Sequence, residues 1–172
     1  AKASFAAQAA IFRNKHNWLM CVLYLGTFGS FIGYAAGFPL LIKSQFTDVN
    51  PLAYAWIGPL VGALVRPVGG WLSDKLGGAR VTLWNFVVMA AAVVGVLVFL
   101  PKGSGSVYAL PFGPAEGNFT GFFLMFLVLF LTTGIGNGST FRMIPVIFMN
   151  LKTGLVKRND EAGMAAAIKE AN

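Results

Sequence analysis

Four long apolar runs, nearly free of charged residues, restrict what this chain can fold into. The first run, residues 17–42, has no charged residue over 26 positions. A helix rises ~1.5 Å per residue, so this run would be about 39 Å long, more than the ~30 Å hydrocarbon core of a bilayer. The runs also lack the polar alternation of the shorter strands of membrane barrels. We therefore predict an all-α membrane protein with four transmembrane helices, at residues 17–43, 52–72, 80–100 and 119–148.

The composition agrees with a lipid environment. Only 11% of the 172 residues are charged, whereas soluble domains carry about 25%. The net charge of +7 is spread over the gaps between the apolar runs, so we expect membrane lipid rather than nucleic acid as a partner. The sequence shows no paired carboxylates, no metal-ligand cluster and no nucleophile with a histidine base. We therefore expect a protein that is not an enzyme and that holds no metal or cofactor.

The positive charges predict the topology. The N-terminal loop (1–16), the turn (73–80) and the C-terminal tail (149–172) lie on one side of a four-span arrangement. These three segments contain nine lysines and arginines, and the remaining gaps contain only Lys43 and Lys102. Positive loops face the cytoplasm, so we expect both ends of the chain there. Because both ends read as loops between spans, we expect residues 1–172 to be part of a longer protein.

Arg66 is the most informative single residue. It lies within the second apolar run, where an unpaired guanidinium is energetically costly, and we find no Asp or Glu in the four predicted spans. Its partner is then a bound anion or a group on chain outside this sequence. The planar fork of a guanidinium matches a planar oxyanion such as nitrate. The alternatives are that Arg66 reaches a lipid headgroup or pairs with a carboxylate on another span. Arg142, nearer a helix end, can reach the interface easily, and its role stays open.

Glycines and aromatic residues mark helix faces. Gly26, Gly29, Gly33 and Gly37 form one stripe on the first span, where tight packing and helix sliding are both open readings. Tyr24 and Phe28 lie four residues apart beside this stripe, as residues that line a cavity or pack a helix would. In the fourth span, Gly134, Gly136 and Gly138 alternate and weaken the helix, which suits backbone that bends or approaches a substrate.

Segment 70–80, GWLSDKLGGAR, resembles the signature loop of the major facilitator superfamily. The loop joins the second and third spans of each six-span half in that superfamily. The resemblance implies that Gly70, Asp74, Gly78 and Arg80 form a conformational gate on the cytoplasmic side. Asp74 is expected near the start of the third span, where the positive end of the helix dipole would favour its carboxylate.

Three further segments together resemble the nitrate/nitrite porter family, of the bacterial nitrate/nitrite transporter type. They are 24–33 (YLGTFGSFIG), 58–70 (GPLVGALVRPVGG) and 134–145 (GIGNGSTFRMIP). The resemblance implies four helices from the second six-helix bundle of a transporter in the bacterial inner (plasma) membrane. The first six-helix bundle, which the sequence does not contain, would complete the substrate site.

The resemblance also implies the roles of individual residues. Arg66 would grip the anion, Tyr24 would donate a hydrogen bond and Phe28 would wall the site. The glycine-rich segment of the fourth span would add Gly134, Gly136, Asn137, Gly138 and Ser139.

The implied function is nitrate/nitrite transport by alternating access, as antiport or as nitrate uptake. The absence of Asp, Glu and His from the predicted spans favours exchange over proton coupling. A carrier for another small anion, a proton-coupled nitrate symporter, an anion channel and a structural membrane subunit are the alternatives.

Overall fold

The computed structural model describes residues 10–102, 114, 116–155 and 168–169. Within this part of the chain it has four helices long and apolar enough to span a membrane: Lys15–Gln45, Pro51–Leu76, Gly78–Phe99 and Phe119–Asn150. We call them the first to fourth spans. This confirms the predicted fold class, an all-α membrane protein with four long apolar helices. The predicted N-terminal loop and C-terminal tail lie largely outside the described residues.

The first span is not a uniform α-helix. Helix α1 (Lys15–Tyr24) continues into a π-helical segment, Leu25–Gly29, and then into α2 (Ser30–Gln45). A π turn leaves carbonyls without their usual helical partners, and two hydroxyls lie against them. Thr27 Oγ1 donates to the carbonyl oxygens of Leu23 or Tyr24, at 3.2 and 3.3 Å, and Ser30 Oγ donates to that of Gly26. The segment therefore shifts the register of the residues that follow it.

The second and third spans are separated by one residue. The second span contains a short helix α3 (Pro51–Tyr54) and then α4 (Ile57–Leu76), and the third span is α5 (Gly78–Phe99). Gly77 adopts a φ of +87°, a conformation that side chains disfavour, and this reverses the chain. The predicted turn at 73–80 is thus mostly helical. Asp74 lies in the last turn of α4, four residues before α5 begins at Gly78.

The fourth span, within helix α6 (Phe119–Leu155), forms the centre of the bundle. Its side chains Phe122, Phe126 and Phe130 are buried against Phe38 of the first span, with ring centroids 4.8–6.1 Å from that of Phe38. These aromatic contacts, with the small residues described next, hold the helices together where lipid supplies little hydrophobic driving force.

Glycines allow the second and fourth spans to touch through their backbones. A Cβ atom added at Gly134 would collide with the carbonyl oxygen of Gly62, and one added at Gly138 would collide with the carbonyl oxygen of Arg66. A Cβ atom added at Gly69 would likewise collide with the carbonyl oxygen of Ile135. Small residues therefore bring the backbone around Arg66 directly against the fourth span.

Large apolar side chains cover the outside of the bundle. Leu25, Leu52, Leu64 and Leu83 are each more than 60% exposed. Such a surface is unfavourable in water and suits lipid or further apolar helices. This apolar surface and the four spans together indicate that the chain is part of a multi-pass membrane protein.

Candidate functional site

The described residues form a cavity of about 420 Å³ between the first, second and fourth spans. Its lining includes one aromatic hydroxyl, one amide and two guanidinium groups, and it includes none of the acidic residues. The residues that matter below are Tyr24, Arg66, Gly70, Asn137, Gly138 and Arg142. The cavity thus offers hydrogen-bond donors and positive charge, as an anion site requires.

Arg66 lies beside two phenyl rings that stack on each other. Its Cζ atom is 5.3 Å from the centroid of Phe28 and 4.9 Å from that of Phe31, within the range of cation–π attraction. Its Nε atom is buried and has no hydrogen-bond partner. Arg66 contacts no carboxylate among the residues that the structure describes. The two rings therefore contact the guanidinium, while its Nε donor stays unsatisfied.

Tyr24 and Phe28 meet as the four-residue spacing predicted. Their rings stack with centroids 5.3 Å apart, and Phe28 stacks in turn on Phe31. Tyr24 lines the cavity, whereas Phe28 contacts Arg66 and is not one of the lining residues. The π-helical segment Leu25–Gly29 begins directly after Tyr24 and contains Phe28, so its wider turn affects the relative direction of the two rings.

The five residues predicted in the fourth span divide into two groups. Asn137 and Gly138 line the cavity, and Asn137 Oδ1 is buried without a partner. A half-turn of this amide would exchange its oxygen for an NH₂ donor. The other three residues are packed inside the bundle, away from the cavity.

Those three residues contact neighbouring helices. Gly134 faces the second span, and a Cβ on Gly136 would lie 2.5 Å from Asn85 Nδ2 of the third span. Ser139 is fully buried and shares a 2.9 Å hydrogen bond with Thr82 of the third span. Their predicted contact with substrate stays a prediction, and their contacts here are structural.

The four predicted gate residues lie in different surroundings. Gly70 lines the cavity and Asp74 lies two turns beyond Arg66 on α4. Gly78 packs under Met143 of the fourth span, which leaves no room for a Cβ. Arg80 lies in the first turn of the third span, on an apolar groove with Trp84 and Leu76. The gate role of all four remains a prediction.

An ion pair connects Asp74 to the fourth span. Arg142 Nε donates to Asp74 Oδ1 at 2.7 Å, and the two side chains are 55% and 50% exposed. Sequence reasoning left the role of Arg142 open and did not find this pair, whose members are 68 positions apart. It also missed Phe31, because nothing in the local sequence indicates its contact with Arg66 on another helix.

Comparison with known proteins gives close relatives. The chain is 47% identical to the nitrate/nitrite transporter NarU of Salmonella typhimurium and 48% identical to NarU of Escherichia coli, over 98% of its length in both cases. It is 40% identical, over 89% of its length, to the probable nitrate/nitrite antiporter NarK2 of Thermus thermophilus. No protein-family model matches the chain. The chain spans about a third (33–35%) of the length of these relatives.

Proposed function

Because this chain belongs, over the third of the relatives' length that it spans, to the nitrate/nitrite transporter family, we propose that it is part of a carrier for nitrate and nitrite. The carrier works by alternating access in a bacterial inner membrane. Residues 1–172 supply four helices of its second six-helix bundle, with the turn at Gly77 and both ends of the chain on the cytoplasmic side. A further six-helix bundle of the same protein completes the site.

One observation carries this proposal. The Arg66 guanidinium, in a membrane span, contacts two phenyl rings, has its Nε unsatisfied and contacts no carboxylate among the described residues. A buried charge without a counterion is costly, and a bound anion removes that cost. Nitrate and nitrite are small planar anions that only accept hydrogen bonds, and a guanidinium only donates them.

Each lining group then has a role in binding. Arg66 supplies charge and a forked pair of donors, and Tyr24 donates its hydroxyl hydrogen. Asn137 donates through its NH₂ group. The phenyl ring of Phe28 walls the site from water, which strengthens these charge-assisted bonds. Anion binding neutralises Arg66 and thereby permits the two bundles to close around the site.

Exchange of one anion for the other suits this cavity better than symport with protons. The described lining residues include no Asp, Glu or His that could take up a proton. An empty site keeps an uncompensated positive charge, so return of the empty carrier is unfavourable and a second anion is needed for the return step. We therefore favour nitrate/nitrite antiport. A carrier for another small anion or a proton-coupled nitrate symporter is the alternative.

Counterflow in proteoliposomes tests the function with the full-length transporter. We expect labelled nitrate to accumulate only when the vesicles contain unlabelled nitrate or nitrite. Chloride, a sphere that cannot accept a bidentate bond, should drive little uptake. A proton gradient alone should drive none if the carrier is an antiporter. Uptake driven by a proton gradient into anion-free vesicles would instead establish symport, and conductance without exchange would establish a channel.

Replacing Tyr24 by phenylalanine tests its hydroxyl. The variant keeps the ring that stacks on Phe28 and removes one donor. Hydrogen bonds to charged groups contribute about 1.5–3 kcal/mol, so we expect nitrate affinity to fall about 10- to 100-fold. Tyr54→Phe is the matched control, because Tyr54 packs on Phe119 and Phe123 at the far end of the second span. Equal nitrate affinity in wild type and Tyr24→Phe would remove Tyr24 from the site.

A further inference from the structure

The cavity extends beyond Arg66 toward the Gly77 turn. Arg142 lines it together with Phe141, one turn of α6 after Gly138. Asp74, the partner of Arg142, is eight residues after Arg66 on α4, which is about 12 Å along the helix axis. The two arginines therefore occupy different levels of one cavity, Arg66 deep and Arg142 nearer the charged end.

The cavity, which is open on one side, is larger than one small anion. Its 420 Å³ is more than ten times the ~30 Å³ share of one water molecule. Nitrate has only four heavy atoms. A single anion on Arg66 would fill a small part of this space.

The ion pair of Arg142 leaves most of its donors available. A guanidinium has five N–H donors, and the bond to Asp74 uses the one on Nε. Both side chains are about half exposed, and ion pairs at such exposure contribute little to stability. A competing anion can therefore replace Asp74 without the cost of breaking a buried pair.

We propose that Arg142 forms a second anion-binding position at the cytoplasmic mouth of the cavity, where an incoming small oxyanion displaces Asp74. This proposal rests on the proposed transport function and adds to it. Asp74 competes with the anion and ties the second span to the fourth while the mouth is empty. Arrival of an anion loosens that tie and leaves the anion within the cavity that leads to Arg66. Because Asp74 competes with the anion only at this mouth, removing its carboxylate should change nitrate capture from the cytoplasmic face and not from the opposite face.

The test is nitrate transport by the full-length protein in vesicles of both orientations. Arg142→Gln should raise the KM for nitrate offered at the cytoplasmic face about tenfold, since a lost steering charge slows capture by roughly this factor. The KM at the opposite face and kcat should change little. Asp74→Asn should do the reverse and lower the cytoplasmic KM. Lys75→Gln is the control, because it removes one positive charge next to Asp74 while its ammonium rests on the ring of Trp71, outside the cavity.

Three results would overturn the second position. They are a cytoplasmic KM that is unchanged in Arg142→Gln, equal changes of KM at both faces, and a fall in kcat alone in both Arg142→Gln and Asp74→Asn. The last would make the pair a structural latch only. If Arg142→Gln does not fold, the KM for nitrate at the cytoplasmic face is compared with the KM at the opposite face in Asp74→Asn and Arg142→Lys instead. Failure of the proposed function is seen separately, as a wild-type protein that transports neither nitrate nor nitrite.

Discussion

Replacement of Arg66 by glutamine in the full-length transporter is expected to lower nitrate affinity and transport by about 30-fold or more. Removing one partner of a buried, hydrogen-bonded charge pair costs about 2–5 kcal/mol, and 1.4 kcal/mol corresponds to a factor of ten. Arg66→Lys is the sharper variant. It keeps the positive charge and loses the planar fork that binds two oxygens at once. We expect it to transport poorly as well, because a carrier needs the geometry and not only the charge.

Arg13→Lys is the matched control for this experiment. It makes the same chemical change at an exposed residue that precedes the first span, and transport should be unaffected. Equilibrium binding of nitrate to purified protein separates loss of the site from loss of movement. If Arg66→Lys transported nitrate at the wild-type rate and affinity, Arg66 would act as a point charge, as in an anion channel, or would not touch the anion.

The second large effect is expected from a side chain at Gly134. A Cβ there would collide with the carbonyl oxygen of Gly62. This oxygen belongs to helix backbone, which cannot rotate away as a side chain can. Gly134→Val should therefore separate the second and fourth spans and misplace Arg66 relative to Asn137. Overpacking costs about 1–3 kcal/mol, more than the ~1 kcal/mol that a helix gains from replacing glycine.

Thermal unfolding of the purified full-length protein, with nitrate transport measured in parallel, tests this prediction. Gly33→Val in the first span is the control, since a Cβ at Gly33 meets no described atom within 4 Å. We expect a lower midpoint and reduced transport for Gly134→Val and a much smaller change for Gly33→Val. Similar midpoints for wild type and Gly134→Val would show that the two helices do not rely on close backbone contact.

Local sequence was sufficient to predict the four helices and to single out Arg66, whose role in binding stays a prediction. The apolar runs predicted four long helices because lipid imposes length and low charge directly on each segment. Arg66 was conspicuous because a charge in such a run needs a reason. Tyr24 and Phe28 were paired correctly because residues four apart share a helix face. Each of these features depends on residues within a few turns of one another.

Features that depend on another helix could not be read in the same way. The pairing of Asp74 with Arg142 and the placement of Phe31 against Arg66 join residues far apart in sequence. The alternating glycines of the fourth span suggested weakened or bent backbone. In the structure the helix continues through them, and Gly134 and Gly136 face the second and third spans, respectively. A pattern on one helix does not say how many neighbours surround it.

The π-helical segment was missed for a different reason. Its residues, Leu25–Gly29, fit an ordinary helical periodicity. The departure comes from one extra residue per turn, which the hydroxyls of Thr27 and Ser30 accommodate. Two glycines and two hydroxyl residues within five positions were the available signal. The glycines were interpreted as a stripe for packing or sliding, and the hydroxyl residues were not interpreted.

The most direct measurement is a structure of the full-length transporter with bound nitrate. We predict a nitrate oxygen within about 2.7–2.9 Å of the Arg66 guanidinium, with the rings of Phe28 and Phe31 still against that side chain. The opposite result would be Arg66 bonded to a carboxylate of its own protein or directed at lipid headgroups, with the anion bound elsewhere. That arrangement would contradict the anion site described above.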